Sequence, residues 1–197
     1  MRLFALSGTV AAMVGAALLA PELVVQHPTD AMPGQVLLVH HATADQGSDA
    51  RRVVLDNCAT QRTLSTNGRA EAQQMGASLR DAGFLITKVI ASPFCRTRET
   101  AELMKAGPVE AVAAFQNIRD NARDEATLRH LDEARQIIES WHGPGSLLIV
   151  THSSTIKALT GSDPAKGKFV VFSNPRDDAV AGLHEREGLK LMETRTF

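Results

Sequence analysis

The sequence predicts an α/β fold: a three-layer sandwich with a largely parallel central sheet flanked by helices. Three observations predict it. Segments of strand length begin at Val36, Ile86 and Leu147, and the first, Val36 to Val39, is a continuous apolar run of the kind that parallel strands covered on both faces require. Helical patterns separate the segments. Each segment then hands over abruptly to a polar cluster, as strand ends do at the ligand-binding rim of such sheets.

In chain order, Met1-Arg2 precedes Leu3 to Ala20, a run without charge that stops at Pro21. One positive charge, a short apolar stretch and small residues near its end fit a secretory signal peptide over residues 1–20. An uncleaved membrane anchor is the alternative, because the run is barely long enough to span a bilayer. Small-x-small patterns at Gly15–Ala17 and Thr29–Ala31 leave the cleavage point open. Residues 21–34, with Pro21, Pro28 and Pro33, read as a linker, and residues 35–197 as the folded domain. The expected location is therefore periplasmic or secreted, with membrane attachment only if the segment stays uncleaved.

Val36 to Val39 reads as the first strand, and the polar stretch from Ala42 to about Arg62 as a long loop. Ser65 is placed to cap a helix that runs to about Ala82 and stops at Gly83, with Ala72, Met75 and Leu79 on one face. Ile86 to Ala91 is the second strand, broken by Ser92-Pro93, and a helix follows from Thr97 to Ala106. A longer helix covers roughly Ala122 to Trp141, with Leu128, Leu131, Ile138 and Trp141 as its apolar stripe. Leu147 to Val150 is the third strand, followed by a helix from Ser153 to Thr160 closed by Gly161. Phe169–Phe172 and Val180–Leu183 read as further strands.

Composition narrows the function. At 197 residues the chain holds one ordinary domain, and 44% hydrophobic with 22% charged residues is globular. Lys+Arg number 21 against 22 Asp+Glu, so no basic excess points to nucleic acid. Aromatics at 4%, with no Tyr, give no stacking platform for single strands. Two cysteines exclude a disulfide-dense miniprotein and a four-cysteine zinc module.

The strand ends carry the chemistry. The first delivers His40-His41, the second Ser92-Pro93-Phe94-Cys95-Arg96, the third Thr151-His152-Ser153. Any one of these residues alone reads as a cap or a surface group. Convergence on one rim would instead make an anion pocket. Guanidinium matches phosphate oxygens bidentately, helix starts favour anions, and a neutral imidazole is nucleophilic near pH 7.

These stretches resemble the histidine phosphatase superfamily, the branch that contains phosphoglycerate mutase-like phosphatases. The family's strand ending in Arg-His-Gly is similar to Leu37-Leu38-Val39-His40-His41-Ala42-Thr43. Its helix-start signature resembles the stretch from Gln61 to Ala72. The most specific likeness is Ala91-Ser92-Pro93-Phe94-Cys95-Arg96-Thr97-Arg98-Glu99-Thr100-Ala101, and its last motif is similar to Thr151-His152-Ser153-Ser154. The resemblance spans about Val36 to Gly161 and implies a phosphoglycerate mutase-like fold, a small phosphorylated substrate or inorganic phosphate as ligand, and no cofactor. It implies His41 as the nucleophile that becomes phosphohistidine, Arg96 and His152 as partners of the phosphoryl oxygens, and Arg62 as a further phosphate-binding residue. Asn57, in the same loop, is a weaker candidate.

Two departures stand out. The family's arginine before the nucleophile is His40 here, a shorter group that titrates near pH 6.5 in place of a permanently charged fork. If protonated, His40 would supply part of the missing charge. The general acid is also unassigned: Asp120, Asp124 and Glu125 lie where the family places a carboxylate, and the same charges suit a solvated helix start. A metal site is a minor reading, because adjacent His40 and His41 on an extended chain point to opposite faces. Cys58 and Cys95 lie in two loops bordering the pocket and read as a disulfide in an exported chain, or as a nucleophilic pair. The expected function is a metal-independent phosphomonoester hydrolase, weakened by His40. The alternative is a non-catalytic envelope protein that binds phosphate or a phosphorylated ligand.

Overall fold

The computed structural model describes residues 35–118, 124–172 and 191–195. The expected signal peptide or anchor, the linker, Asp120 and the strand expected at Val180–Leu183 lie outside the described residues.

The chain forms a six-stranded sheet: β1 (Val36–His40), β2 (Ile86–Ala91), β3 (Val109–Ala111), β4 (Ser146–Thr151), β5 (Phe169–Phe172) and β6 (Leu191–Arg195), in spatial order β3-β2-β4-β1-β5-β6. β1 and β4, β2 and β4, and β2 and β3 pair in parallel, whereas β5 runs antiparallel to both β1 and β6. The helices are α1 (Thr66–Asp81), α2 (Cys95–Met104), α3 (Glu125–Glu139) and α4 (Ser153–Thr160).

Strand alternation divides the core in two. Leu37, Val39, Val89, Ala91, Leu148 and Val150 face a cluster with Ala72, Met75 and Leu79 of α1 and Ala101 and Met104 of α2. Val36, Leu38, Ile90, Leu147 and Ile149 face the other, with Ala134 and Ile138 of α3 and Ile156 of α4. Because both faces are covered, β1 and β4 are buried along their whole length. This is the predicted three-layer sandwich.

Several boundaries move for local reasons. α1 starts as expected, its Ser65 hydroxyl accepting from the Gly68 amide at 3.0 Å. α2 begins at Cys95 rather than Thr97, because the Thr97 hydroxyl donates back to the carbonyls of Ser92 and Phe94 and winds the break directly into the helix. It stops at Met104, where Lys105 turns left-handed at φ 53°. α3 begins at Glu125; Leu131, Ala134 and Ile138 are its buried residues, and Leu128, expected on the apolar stripe, is 47% exposed. Trp141 lies beyond the helix end, its indole N–H donating to the Gly145 carbonyl. β3 and β6 are edge strands without a readable alternation, and the sequence did not predict them.

α1 and α2 pack closely because Gly76 meets them face to face: a Cβ there would lie 2.0 Å from the Met104 carbonyl oxygen. Gly68 likewise lets α1 press on the loop leaving β1, where a Cβ would lie 1.9 Å from the Thr43 oxygen.

Candidate active site

Sheet register alone brings the three polar clusters together. His40 is opposite Thr151 and Ala91 opposite Val150, so the residues that follow leave the sheet side by side at the carboxyl ends of β1, β2 and β4. The His41 amide donates to Thr151 (3.0 Å), and the Ser92 amide to Val150 (2.9 Å). α2 and α4 start immediately after, with Phe94 and His152 at their cap positions. Neither caps its helix with its own side chain; at α2 the first amide, that of Cys95, donates instead to Gln61 Oε1 at 2.9 Å.

Arg96 organises the site and is 1% exposed. Its Nε donates to His41 Nε2 at 3.1 Å, its Nη2 meets His152 Nδ1 at 3.3 Å, and its Nη1 pairs with Asp49 Oδ1 at 3.2 Å. The guanidinium carbon lies 4.7 Å from the centre of the Phe94 ring. The partners fix both tautomers. The Ala42 carbonyl, 2.7 Å from His41 Nδ1, can only accept, so His41 carries its proton on Nδ1 and presents a lone pair at Nε2. The guanidinium can only donate, so His152 accepts at Nδ1 and gives its Nε2 proton to the Ser92 hydroxyl at 2.9 Å. The His41 and His152 rings meet edge to face at 5.4 Å.

Both imidazoles are neutral. Burial, reinforced by His40, Arg96 and Arg62, pushes His41 down to about 3. Burial followed by the Arg96 charge holds His152 well below the usual histidine range. Arg62 is half-buried and near enough for its charge to bear on both rings. The structure thus gathers His41, Arg96, His152 and Arg62, all four expected from sequence.

His40 departs from expectation. Its ring meets that of His41 edge to face at 4.7 Å instead of pointing to the opposite face, because the chain leaves the sheet at this point. Nδ1 donates to the Pro164 carbonyl at 3.1 Å, and burial, followed by the Lys166 charge, lowers its pKa. Burial thus works against the protonated form of His40 that would supply the missing charge.

Asn57 is a turn cap: it is exposed, and its side-chain oxygen accepts from the Ala59 amide at the start of a 3-10 turn over Cys58–Thr60. Asp124 caps α3 by accepting from the Thr127 amide at 2.8 Å. Glu125 pairs on the surface with Arg129, one helical turn on. Among the described residues neither carboxylate bonds to the histidines or to Arg96. Cys58 and Cys95 are joined in a disulfide with Cα atoms 5.7 Å apart, which closes the nucleophilic-pair reading.

Two residues of the 42–62 loop were not singled out from sequence. Asp49 holds Arg96 and accepts from the Arg62 amide at 2.8 Å. Gln61 accepts from the Cys95 amide at 2.9 Å and donates to the carbonyls of Val54 and Leu55. Asp49 was one of several acidic residues in an uninformative polar stretch, and no spacing marked it.

The model of the histidine phosphatase superfamily (branch 1) matches residues 36–134. Among solved structures, the chain is similar to the α-ribazole phosphatase from Shigella flexneri at 15% identity and TM-score 0.55, covering 82% of this chain and 96% of that one. It is similar to the protein histidine phosphatase SixA complexed with tungstate at 19% and 0.52, covering 81% and 95%. It is similar to a mycobacterial glucosyl-3-phosphoglycerate phosphatase at 13% and 0.52, covering 71% and 89%. These likenesses establish the shared fold.

Proposed function

The chain belongs to branch 1 of the histidine phosphatase superfamily, and from that premise we propose that it hydrolyses phosphomonoesters through a phosphohistidine on His41. The observation that carries the reading is the convergence of a neutral imidazole lone pair, His41 Nε2, with the buried Arg96 guanidinium, His152 and Arg62.

A phosphoryl group entering the pocket offers oxygens to the Nε–H and Nη2–H bonds that Arg96 now makes to the imidazoles. That exchange frees the His41 lone pair to attack phosphorus in line. The P–N bond forms as the P–O bond to the leaving group breaks, and the oxygen leaves with the bonding pair. Arg96 and Arg62 stabilise charge on the equatorial oxygens. Water then attacks phosphorus, the P–N bond returns its electrons to Nε2, and inorganic phosphate leaves. The Nδ1–H bond to Ala42 holds the ring in the reactive tautomer through both steps. Asp124 caps α3 and Glu125 pairs with Arg129, and leaving groups that depart as stable anions need no acid from either.

The named neighbours act on a protein histidine, a sugar phosphoglycerate and a ribazole phosphate, so the shared fold does not select a substrate. The Cys58–Cys95 disulfide and the apolar N-terminal run support a periplasmic or secreted location. His40, standing where the resemblance places an arginine and disfavoured by burial in its charged form, favours a second reading: a phosphate-binding envelope protein without turnover.

The test is para-nitrophenyl phosphate hydrolysis by the purified protein, with EDTA and with His41→Ala. Turnover that persists in EDTA and disappears in the variant supports the mechanism. Vanadate binding without turnover selects the second reading; a fully active alanine variant overturns the first.

A further inference from the structure

We propose that Asp49 is the positioning residue that aims Arg96 at the reaction centre, an inference resting on the phosphohistidine reading above. Nε and Nη2 share one edge of the planar guanidinium, and in Arg96 that edge faces both histidines. Nη1 lies outside that edge, and Nη1 is where Asp49 binds. The carboxylate therefore does not occupy the place of a phosphoryl group. It backs the guanidinium from outside the edge that faces the two histidines.

The same carboxylate oxygen, Oδ1, takes both the Arg96 Nη1 bond at 3.2 Å and the Arg62 amide bond at 2.8 Å. One atom thus sets the position of one phosphate-binding arginine and the backbone of the other. The loop is itself held at several points: the Ala50 amide donates to Thr60, the Asp45 amide to Thr63, and the disulfide ties Cys58 to the first residue of α2. Asp49, only 11% exposed in its side chain, also neutralises a guanidinium that is almost wholly removed from water.

A positioning role makes a prediction that simple charge neutralisation does not. Because the two key bonds converge on one oxygen, an amide can keep both, and Asp49→Asn should rescue what Asp49→Ala loses. With para-nitrophenyl phosphate as substrate, Asp49→Ala is expected to lower kcat by about 30-fold or more with KM within about threefold, as misdirected transition-state contacts do. Asp49→Asn is expected to stay within about fivefold of wild-type kcat, the amide oxygen still directing the fork. Orthovanadate binding by calorimetry should follow the same order. Should Asp49→Ala fail to fold by circular dichroism, Asp49→Ser, too short to reach Nη1, is read in its place.

Equal losses in the alanine and asparagine variants, a loss confined to KM, or an alanine variant as active as wild type would each overturn the positioning role. Wild-type protein that neither hydrolyses the ester nor binds vanadate would instead remove the phosphohistidine reading on which it rests.

Discussion

Arg96 Nε donates to His41 Nε2 across 3.1 Å, so in the proposed mechanism the side chain that takes the phosphoryl oxygens also marks the attacking nitrogen. A lysine at this position would keep the charge and lose the fork, and could not address two imidazoles and a carboxylate at once. Arg96→Lys is therefore expected to reduce kcat/KM for an aryl phosphate by about 100-fold or more, the scale of a removed oxyanion donor. Steady-state kinetics on protein shown to be folded by circular dichroism checks this. Activity within a few-fold of wild type would mean that point charge alone suffices.

Acid should destabilise this fold through its histidines. His40, His41 and His152 are buried and have folded-state pKa values below the unfolded value of about 6.5. Below that pH the unfolded chain binds protons that the native state refuses, so stability falls as pH drops from about 6.5, continuing for His41 toward about 3. Each neutral histidine contributes a slope of up to about 1.4 kcal/mol per pH unit. Urea unfolding at pH 7 and pH 5 is expected to show a marked loss at the lower value. The kcat of the still-folded enzyme should not titrate near pH 6.5. Equal stability at both pH values would contradict buried neutral imidazoles.

How much of this was legible in the sequence depended on the signal each part left. β1 and β4 announced themselves because burial on both faces demands unbroken apolar runs, and their parallel register, with that of β2 on β4, brings the segments carrying His41, Arg96 and His152 together. Edge strands β3, largely outside the core, and β6 left no such trace. Asp49 was illegible for a different reason. Its role depends on where a long polar loop folds back, through Ala44–Leu64 bridging and the Asp45 and Ala50 amides, and no periodicity encodes that path. Asp124 and Glu125 were ambiguous in sequence because carboxylates also suit a helix start, and here Asp124 caps α3 while Glu125 pairs with Arg129.

His40 invites the reverse experiment. The pocket brings two guanidiniums, Arg62 and Arg96, to bear on the imidazoles, and the His40 ring packs against that of His41. His40 is in edge contact with His41, so a longer donor grown from this backbone position starts next to the nucleophile. His40→Arg is expected to raise kcat/KM for an aryl phosphate at pH 7 by about tenfold or more, one additional charge-assisted contact in the transition state. The same variant loses the ring bond to Pro164, and a modest fall in melting temperature should accompany the gain. A variant no faster than wild type would show that this position no longer reaches the phosphoryl group.

The disulfide joins stability to site geometry, and reduction should reveal both. Cys58 and Cys95 are separated by 37 positions, and cross-linking a loop of that length removes chain entropy worth about 4 kcal/mol from the unfolded state. The bond also pins the loop carrying Asp49, Gln61 and Arg62 against the start of α2, one residue from Arg96. The Gln61 bridge from the Cys95 amide to the Val54 and Leu55 carbonyls would remain after reduction, but it is made of neutral hydrogen bonds worth only about 1 kcal/mol each. The double variant Cys58→Ser/Cys95→Ser is therefore expected to lose roughly 3–4 kcal/mol of unfolding free energy in urea. Its vanadate affinity should weaken as well, because the arginine pair is less tightly held. Dithiothreitol should reproduce both effects in the wild-type protein and leave the serine variant unchanged. A serine variant that loses stability while binding vanadate as tightly as wild type would separate the two roles, assigning loop position to Gln61 and Asp49 alone.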